Sequence, residues 1–126
     1  MGFRVDYIAG LLRLRDVSTT YAFGRKKNAN NIFLENAGNF SNLTPVTISE
    51  RCKLYTISAT TQGVETWSVD VYRNGSPLIG GVLNITGTDS GYVNNLNIEL
   101  SEGDKISVFC NGVNIKNPSV ILETIK

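Results

Sequence analysis

Few side chains in this chain could carry chemistry. Two carboxylates, Glu65 and Asp70, flank the single tryptophan, Trp67, and a carboxylate pair is the minimum that glycoside hydrolysis needs. Both residues equally fit ordinary solvent-facing positions on a strand. Histidine is absent, which removes the commonest general base and metal ligand. Ser-His-Asp and Cys-His sets are excluded with it. Gly75, Gly80, Gly81 and Gly87 sit among strand and turn residues rather than ahead of a helix, so they make neither a phosphate loop nor a dinucleotide fingerprint. Asp89 and Asp104 stand alone, without the closely spaced acids of a calcium loop. Cys52 and Cys110 are too few for a disulfide framework. They read either as one bridge or a reactive thiol, or as two buried apolar thiols at inward-facing strand positions. The expectation is a non-enzyme with no catalytic residue, metal or cofactor.

What must position any binding surface is a chain of 126 residues and 13.8 kDa, enough for one domain. Its net charge is +1, but the charge is uneven. Residues 1–27 hold Arg4, Arg13, Arg15, Arg25, Lys26 and Lys27 against Asp6 and Asp16, and the remainder is mildly acidic. No overall field draws such a protein to nucleic acid or to an anionic membrane. The apolar run 8–12 is cut by Arg13, far short of a membrane span and too short for a signal-peptide core. Sequons at Asn39, Asn42, Asn74 and Asn84 follow from a composition rich in Asn, Ser and Thr. A protein assembled in a cytosol is expected.

From residue 44 onward the apolar period is two. Val46 and Ile48 alternate after Pro45. Residues 53–59 form a β-branched, aromatic run whose phase shifts near Leu54-Tyr55, the mark of a bulge. Gln62-Gly63 predicts a turn. Trp67, Val69 and Val71 then share one face, with Tyr72 opposite. Asn74-Gly75 is the strongest hairpin signal, since both central residues of a type I′ turn need positive φ. Residues 78–85 return, with Gly80-Gly81 as a bulge, and residues 88–91 predict another turn. Ile98 and Leu100, then Ile106, Val108 and Cys110, then Val120 and Leu122 supply the remaining inward positions. The predicted core is Trp67, Val69, Val71, Ile98, Leu100, Ile106, Val108 and Leu122. Short strands at this spacing, separated by Gly or Asn turns, specify an antiparallel sandwich or barrel.

Residues 1–43 read differently. Residues 8–15 fit either a helical turn or a short strand. Their neighbours offer brief apolar pieces between charges: Phe3, Val5 and Tyr7, then Tyr21 and Phe23, then residues 32–34. This predicts an extended basic arm, residues 1–43, ahead of a domain at 44–126. The arm's anchoring candidates are Phe3, Arg4, Tyr7, Arg13, Arg15, Tyr21, Phe23, Arg25, Lys26 and Lys27. They suit docking on an acidic protein surface better than on nucleic acid. Tyr72 and Phe109 fall on outer faces, where either a subunit interface or a covering segment of the same chain would bury them.

Four stretches in order carry a resemblance: Thr66-Trp67-Ser68-Val69-Asp70-Val71-Tyr72-Arg73-Asn74-Gly75, Ser90-Gly91-Tyr92-Val93, Glu102-Gly103-Asp104-Lys105-Ile106-Ser107-Val108-Phe109 and Asn117-Pro118-Ser119-Val120-Ile121-Leu122. With them the chain resembles the small trimeric jelly-roll domains, broadly similar to the C1q and tumour-necrosis-factor fold, found on phage capsids, phage fibres and bacterial collagen-like proteins. The resemblance implies an all-β antiparallel jelly-roll β-sandwich of about eight strands behind an extended N-terminal arm. It implies a homotrimer with a structural role in a virion, with Tyr72 and Phe109 as trimer-interface candidates. A collagen-like stalk would need Gly-X-Y repeats, which residues 1–43 lack. A capsid decoration or head-fibre protein, bound through its arm to the major capsid protein or to neighbouring virion subunits, fits the short arm best. The alternative is the receptor-binding tip of a tail fibre, reading host glycans through loops 61–65, 86–91 and 111–117.

Overall fold

A computed structural model of the chain describes residues 17–126. Ten strands follow one another: β1 (Val17–Gly24), β2 (Ile32–Phe33), β3 (Glu35–Asn36), β4 (Asn39–Phe40), β5 (Val46–Thr47), β6 (Cys52–Arg73), β7 (Ser76–Val93), β8 (Ile98–Leu100), β9 (Lys105–Asn111) and β10 (Ser119–Ile125). There is no helix among the described residues, and every strand pairing is antiparallel. The fold is the all-β sandwich that the period-two pattern specifies.

Its frame is the β6–β7 hairpin. Along one edge, β6 pairs with β10 over Lys53 to Thr60 and then with β9 over Ser68 to Arg73. Along the other edge it pairs with β8 and then with β7. One strand therefore belongs to both layers. The first layer runs β7–β6–β10–β1–β3–β4, and the second runs β7–β6–β9 with β2 and β5 beyond. A strand that changes layers must bend, and bulges supply the bend.

Four register shifts along β6 do so, one of them between Glu65 and Trp67 opposite residues 86–87. Tyr55 is extra between the pairs Leu54–Thr124 and Thr56–Glu123, at the place where the apolar phase changes. Residues 78–81 are extra opposite Val71, with Gly80 at φ 85°, so the Gly80-Gly81 bulge forms as expected. Gln62-Gly63 and residues 88–91 do not reverse the chain, contrary to the expectation of two turns. Both lie within continuous strands, where residues 61–64 oppose only Asp89 and the ribbon folds over. The Thr61 hydroxyl donates to the Gly63 carbonyl at 2.6 Å, and the Gln62 amide donates to the Lys116 carbonyl at 2.9 Å. The true reversal at Asn74-Gly75 has φ 53° and 82°, as a type I′ turn demands. It is fixed by Asn74 N–H on the Lys105 carbonyl (2.8 Å) and Lys105 N–H on Asn74 Oδ1 (2.9 Å).

Between the layers lie Trp67, Val69, Val71, Leu100, Ile106, Val108 and Leu122, all buried, together with Leu54, Ile57 and Val120. Ile98 is only half-buried, because its short strand sits at a sheet margin and packs against the core from the side. Gly112 belongs to this packing: a Cβ there would stand 2.7 Å from Cβ of Trp67.

The boundary expected at residue 43 does not exist in the described residues. β1 is paired with β10 from Val17, opposite Ile125, to Gly24, opposite Ser119. Phe23, Ala29, Leu34 and Ser41 are buried. Leu34 N–H donates to the Val108 carbonyl at 2.8 Å, and Val108 N–H donates to Ser41 Oγ at 3.2 Å. Residues 17–43 are thus part of the sandwich. Past β1 the sequence shows no strand pattern here because β2, β3 and β4 contribute two residues each, too few to show a period. Phe3, Arg4, Tyr7, Arg13, Arg15 and the segment 8–15 lie outside the described residues.

Candidate functional site

The carboxylates beside Trp67 hold structure together. Glu65 is largely buried, with 13% of its side chain exposed. Its Oε2 accepts from the Lys116 amide at 3.4 Å and lies 3.9 Å from Lys116 Nζ. That contact ties the fold-over of β6 to the loop 112–118. Asp70 accepts from the Ser68 hydroxyl on its own strand at 3.3 Å. Among the described residues, no group of three or more potential ligands of the His, Cys, Asp and Glu kind could hold a metal ion.

Cys52 and Cys110 are free and buried. Burial pushes the Cys110 thiol up to about 12, with a further contribution from Asp70. Burial also raises Cys52, and the Thr124 hydroxyl bond only partly opposes it, while Glu50, Asp104 and Glu99 add to the rise. Both remain thiols at neutral pH and are poor nucleophiles.

Tyr72 and Phe109 face outward from β6 and β9, but Phe33 of β2 lies across them. The Phe33 ring is 5.0 Å from each, in edge-to-face geometry, and the two are 6.3 Å apart. Such packing is worth about 0.5–1.5 kcal/mol per pair beyond area burial. A segment of the same chain therefore covers part of each ring, and all three stay half-buried.

The loops 61–65 and 111–117 meet the turn at 28–31 at one end of the sandwich. There the amides are spent on one another. Asn28 donates to Asn114 Oδ1 (2.6 Å), Asn30 Oδ1 accepts from the Asn114 amide (2.6 Å), Asn31 Oδ1 accepts from the Gly112 amide (3.0 Å), and Asn117 pairs with Gln62. Ala29 and Ile115 exchange backbone bonds at 2.8 and 2.9 Å. The spacing of Asn28, Asn30 and Asn31 against Asn114 and Asn117 was the signal for this clasp. In the sequence, residues 28–31 belong to a polar stretch and 111–117 to a loop, with nothing local to pair them.

Two surfaces remain unspent. The first is the outer margin of β7. Over 18 residues it carries one charge, Asp89, and among the described residues it pairs only with β6. Ile79, Val82 and Tyr92 are exposed along it. Next to it, Tyr92 walls an open trough of about 690 Å³ floored by Ser58, Thr60, Ser119 and Ile121. Exposed edges are normally guarded by Lys, Pro or a bulge. Here Pro77 and the residue 78–81 bulge guard only the first part, leaving 82–93 open.

The second surface is basic. Tyr21 and Phe23 of β1 pack into or against the core, so these two arm candidates are structural. Arg25 follows, with its guanidinium 5.4 Å from the Phe40 ring centre and its Nε buried without a hydrogen-bond partner. Lys26 and Lys27 are exposed, and neither has an ion-pair partner among the described residues. The three border a cleft of about 740 Å³ whose other walls are the β3–β4 turn and residues 117–119.

No protein-family model matches this chain, and a search of curated proteins finds no match.

Proposed function

We propose that the chain is a non-enzymatic structural protein of a bacteriophage particle, a trimeric capsid decoration or head-fibre subunit. It attaches through its basic N-terminal region to the major capsid protein or to neighbouring virion subunits. The observation that carries this reading is the outer margin of β7: long, nearly uncharged, unpaired among the described residues and bordered by exposed Val82 and Tyr92. An edge of that kind is a template for another chain, and a self-associating protein buries it. Support also comes from the resemblance to trimeric virion jelly rolls and from the state of the groups the sequence singled out, since Glu65 and Asp70 are hydrogen-bonded and Cys52 and Cys110 are protonated. The glycan-reading alternative draws less support, because the loop amides at 28–31 and 111–117 are occupied with each other.

Light scattering on the purified chain tests the reading. A mass of three times 13.8 kDa is expected, and Val82→Lys or Tyr92→Lys should shift it toward one chain. A monomer at all concentrations overturns the trimer. Labelled protein added to particles lacking it should bind in many copies over the shell. Binding confined to the tail would favour the receptor-binding tip.

A further inference from the structure

We propose that the cleft beside Arg25 receives an acidic segment of a partner protein, a carboxylate seated on the Arg25 guanidinium with Lys26 and Lys27 at its mouth. This deepens the attachment reading above by naming the chemistry of the partner and the place it docks.

Four observations converge. First, three consecutive cations stand at the end of β1, none of them in an ion pair among the described residues, and they outnumber the one carboxylate that lines the cleft, Glu35. Second, Arg25 is built in rather than solvated: its amide donates to the Pro118 carbonyl at 3.0 Å and its guanidinium lies against the Phe40 ring. Cation–π attraction to the ring helps hold the guanidinium in place, and a guanidinium so held can offer two parallel N–H donors to a planar acceptor. Third, its Nε is buried with no acceptor. A buried donor left unpaired costs free energy and is rare in native proteins. Because Nε is closed to solvent, a carboxylate entering the cleft would bond the guanidinium through its terminal nitrogens.

Fourth, the cleft's rim is strained. Ala37 and Gly38 form the β3–β4 turn at φ 52° and 85°. The other non-glycine residues described at positive φ are all asparagines, at 31, 74, 95, 97, 114 and 117. Asparagine tolerates that region and alanine does not. Alanine, however, places only a methyl group at the wall, where an amide would compete for the cations. Positive φ at both positions is what the two-residue hairpin turn requires.

The occupant is a peptide rather than a nucleic acid. A phosphate backbone needs a continuous cationic track, whereas Glu35 interrupts this one by lining the same cleft.

The test titrates the full chain into fluorescein-labelled hexaglutamate and follows anisotropy at low salt. Saturable binding is expected, weakening as salt rises. Arg25→Gln should lower affinity by roughly tenfold or more, and Arg25→Lys nearly as much, because an ammonium cannot make the two-point contact. The double variant Lys26→Gln/Lys27→Gln touches only exposed side chains and keeps the test valid if Arg25 variants fold poorly. It should weaken binding roughly threefold to tenfold. Arg51→Gln, an exposed cation elsewhere, should change nothing. Absence of saturation overturns the proposal, as does an equal loss in Arg51→Gln, or tighter binding of a single-stranded oligonucleotide of the same length. A change in subunit mass on Arg25→Gln overturns the occupant too, since the cleft would then hold a second copy of the chain. Hexaglutamate binding by a monomer would preserve this proposal while sinking the trimer reading, and a trimer that ignores hexaglutamate would do the reverse.

Discussion

The β6–β7 ribbon and the segment from β1 to β5 are built on opposite plans. The ribbon runs through two strands of 22 and 18 residues joined by a turn of two, so its pairing builds outward from one turn in a continuous ladder broken only by bulges. The front segment enters the sandwich through β1 and then through four strands of two residues each. Beyond β1 its contacts are distant in sequence and few at each point: Leu34 to Val108, Ser41 to Val108, Ala29 to Ile115, Phe33 over Phe109. The comparison teaches that a short-stranded segment gains its place from isolated buried anchors. Each anchor should matter as much as a residue in the middle of a long ladder.

The sharpest way to break that comparison is a pair of truncations. Leu34 and Leu122 are both fully or almost fully buried, one in each region. Leu34→Ala and Leu122→Ala should each cost about 2–5 kcal/mol in denaturant unfolding. A loss below about 0.5 kcal/mol for Leu34 would return the front segment to the status of an arm. Next in size is Gly112→Ala, at the seam between the regions. The added Cβ would meet Cβ of Trp67 at 2.7 Å and Ile115 carbons at 3.0 Å, and overpacking of this kind costs about 1–3 kcal/mol.

A third prediction is specific to the ribbon's partner β9 and appears only at high pH. Cys110 has a folded-state pKa raised to about 12 from an ordinary value of 9.0. Below 9 the thiol is neutral in both states and the shift has no effect. Between 9 and 12 the unfolded chain loses the proton and the folded chain keeps it, so stability falls as pH rises through that window. Cys110→Ala should flatten the fall measured by thermal melts, and a disulfide reagent should label the native thiol far more slowly than the unfolded one. The smallest expected effect is a gain: Ala37→Asn relieves a left-handed alanine and should stabilise by about 0.5–1 kcal/mol. The same change should weaken hexaglutamate binding, because the new amide borders the cleft.

The two plans also explain what the sequence discloses. Alternation from Trp67 to Val71 and from Ile106 to Cys110, and the Asn74-Gly75 turn, expose the fold class directly, because a long half-buried strand writes its period into consecutive residues. The fold-over escapes detection. Gln62-Gly63 carries the same local chemistry whether the chain reverses or bulges, and only the amide bond to Lys116 and the pairing around Asp89 decide between them. Strands of two residues have no period, so Leu34 and Ser41 gave no sign of their burial. The surfaces divide likewise. Arg25, Lys26 and Lys27 are visible as a basic run. The Phe40 ring, the Ala37 rim and the Pro118 carbonyl that make a cleft of them come from distant parts of the chain.

The pairing of Val17 with Ile125 has a mechanical consequence. The described chain begins and ends on adjacent antiparallel strands at the same corner of the sheet. Tension applied between those two ends would peel β1 from β10 one backbone bond after another, at low force, rather than shear the whole ladder at once. A tether at the N-terminal side alone would load the molecule differently. The pull would spread from β1 into β10 and through it into β6.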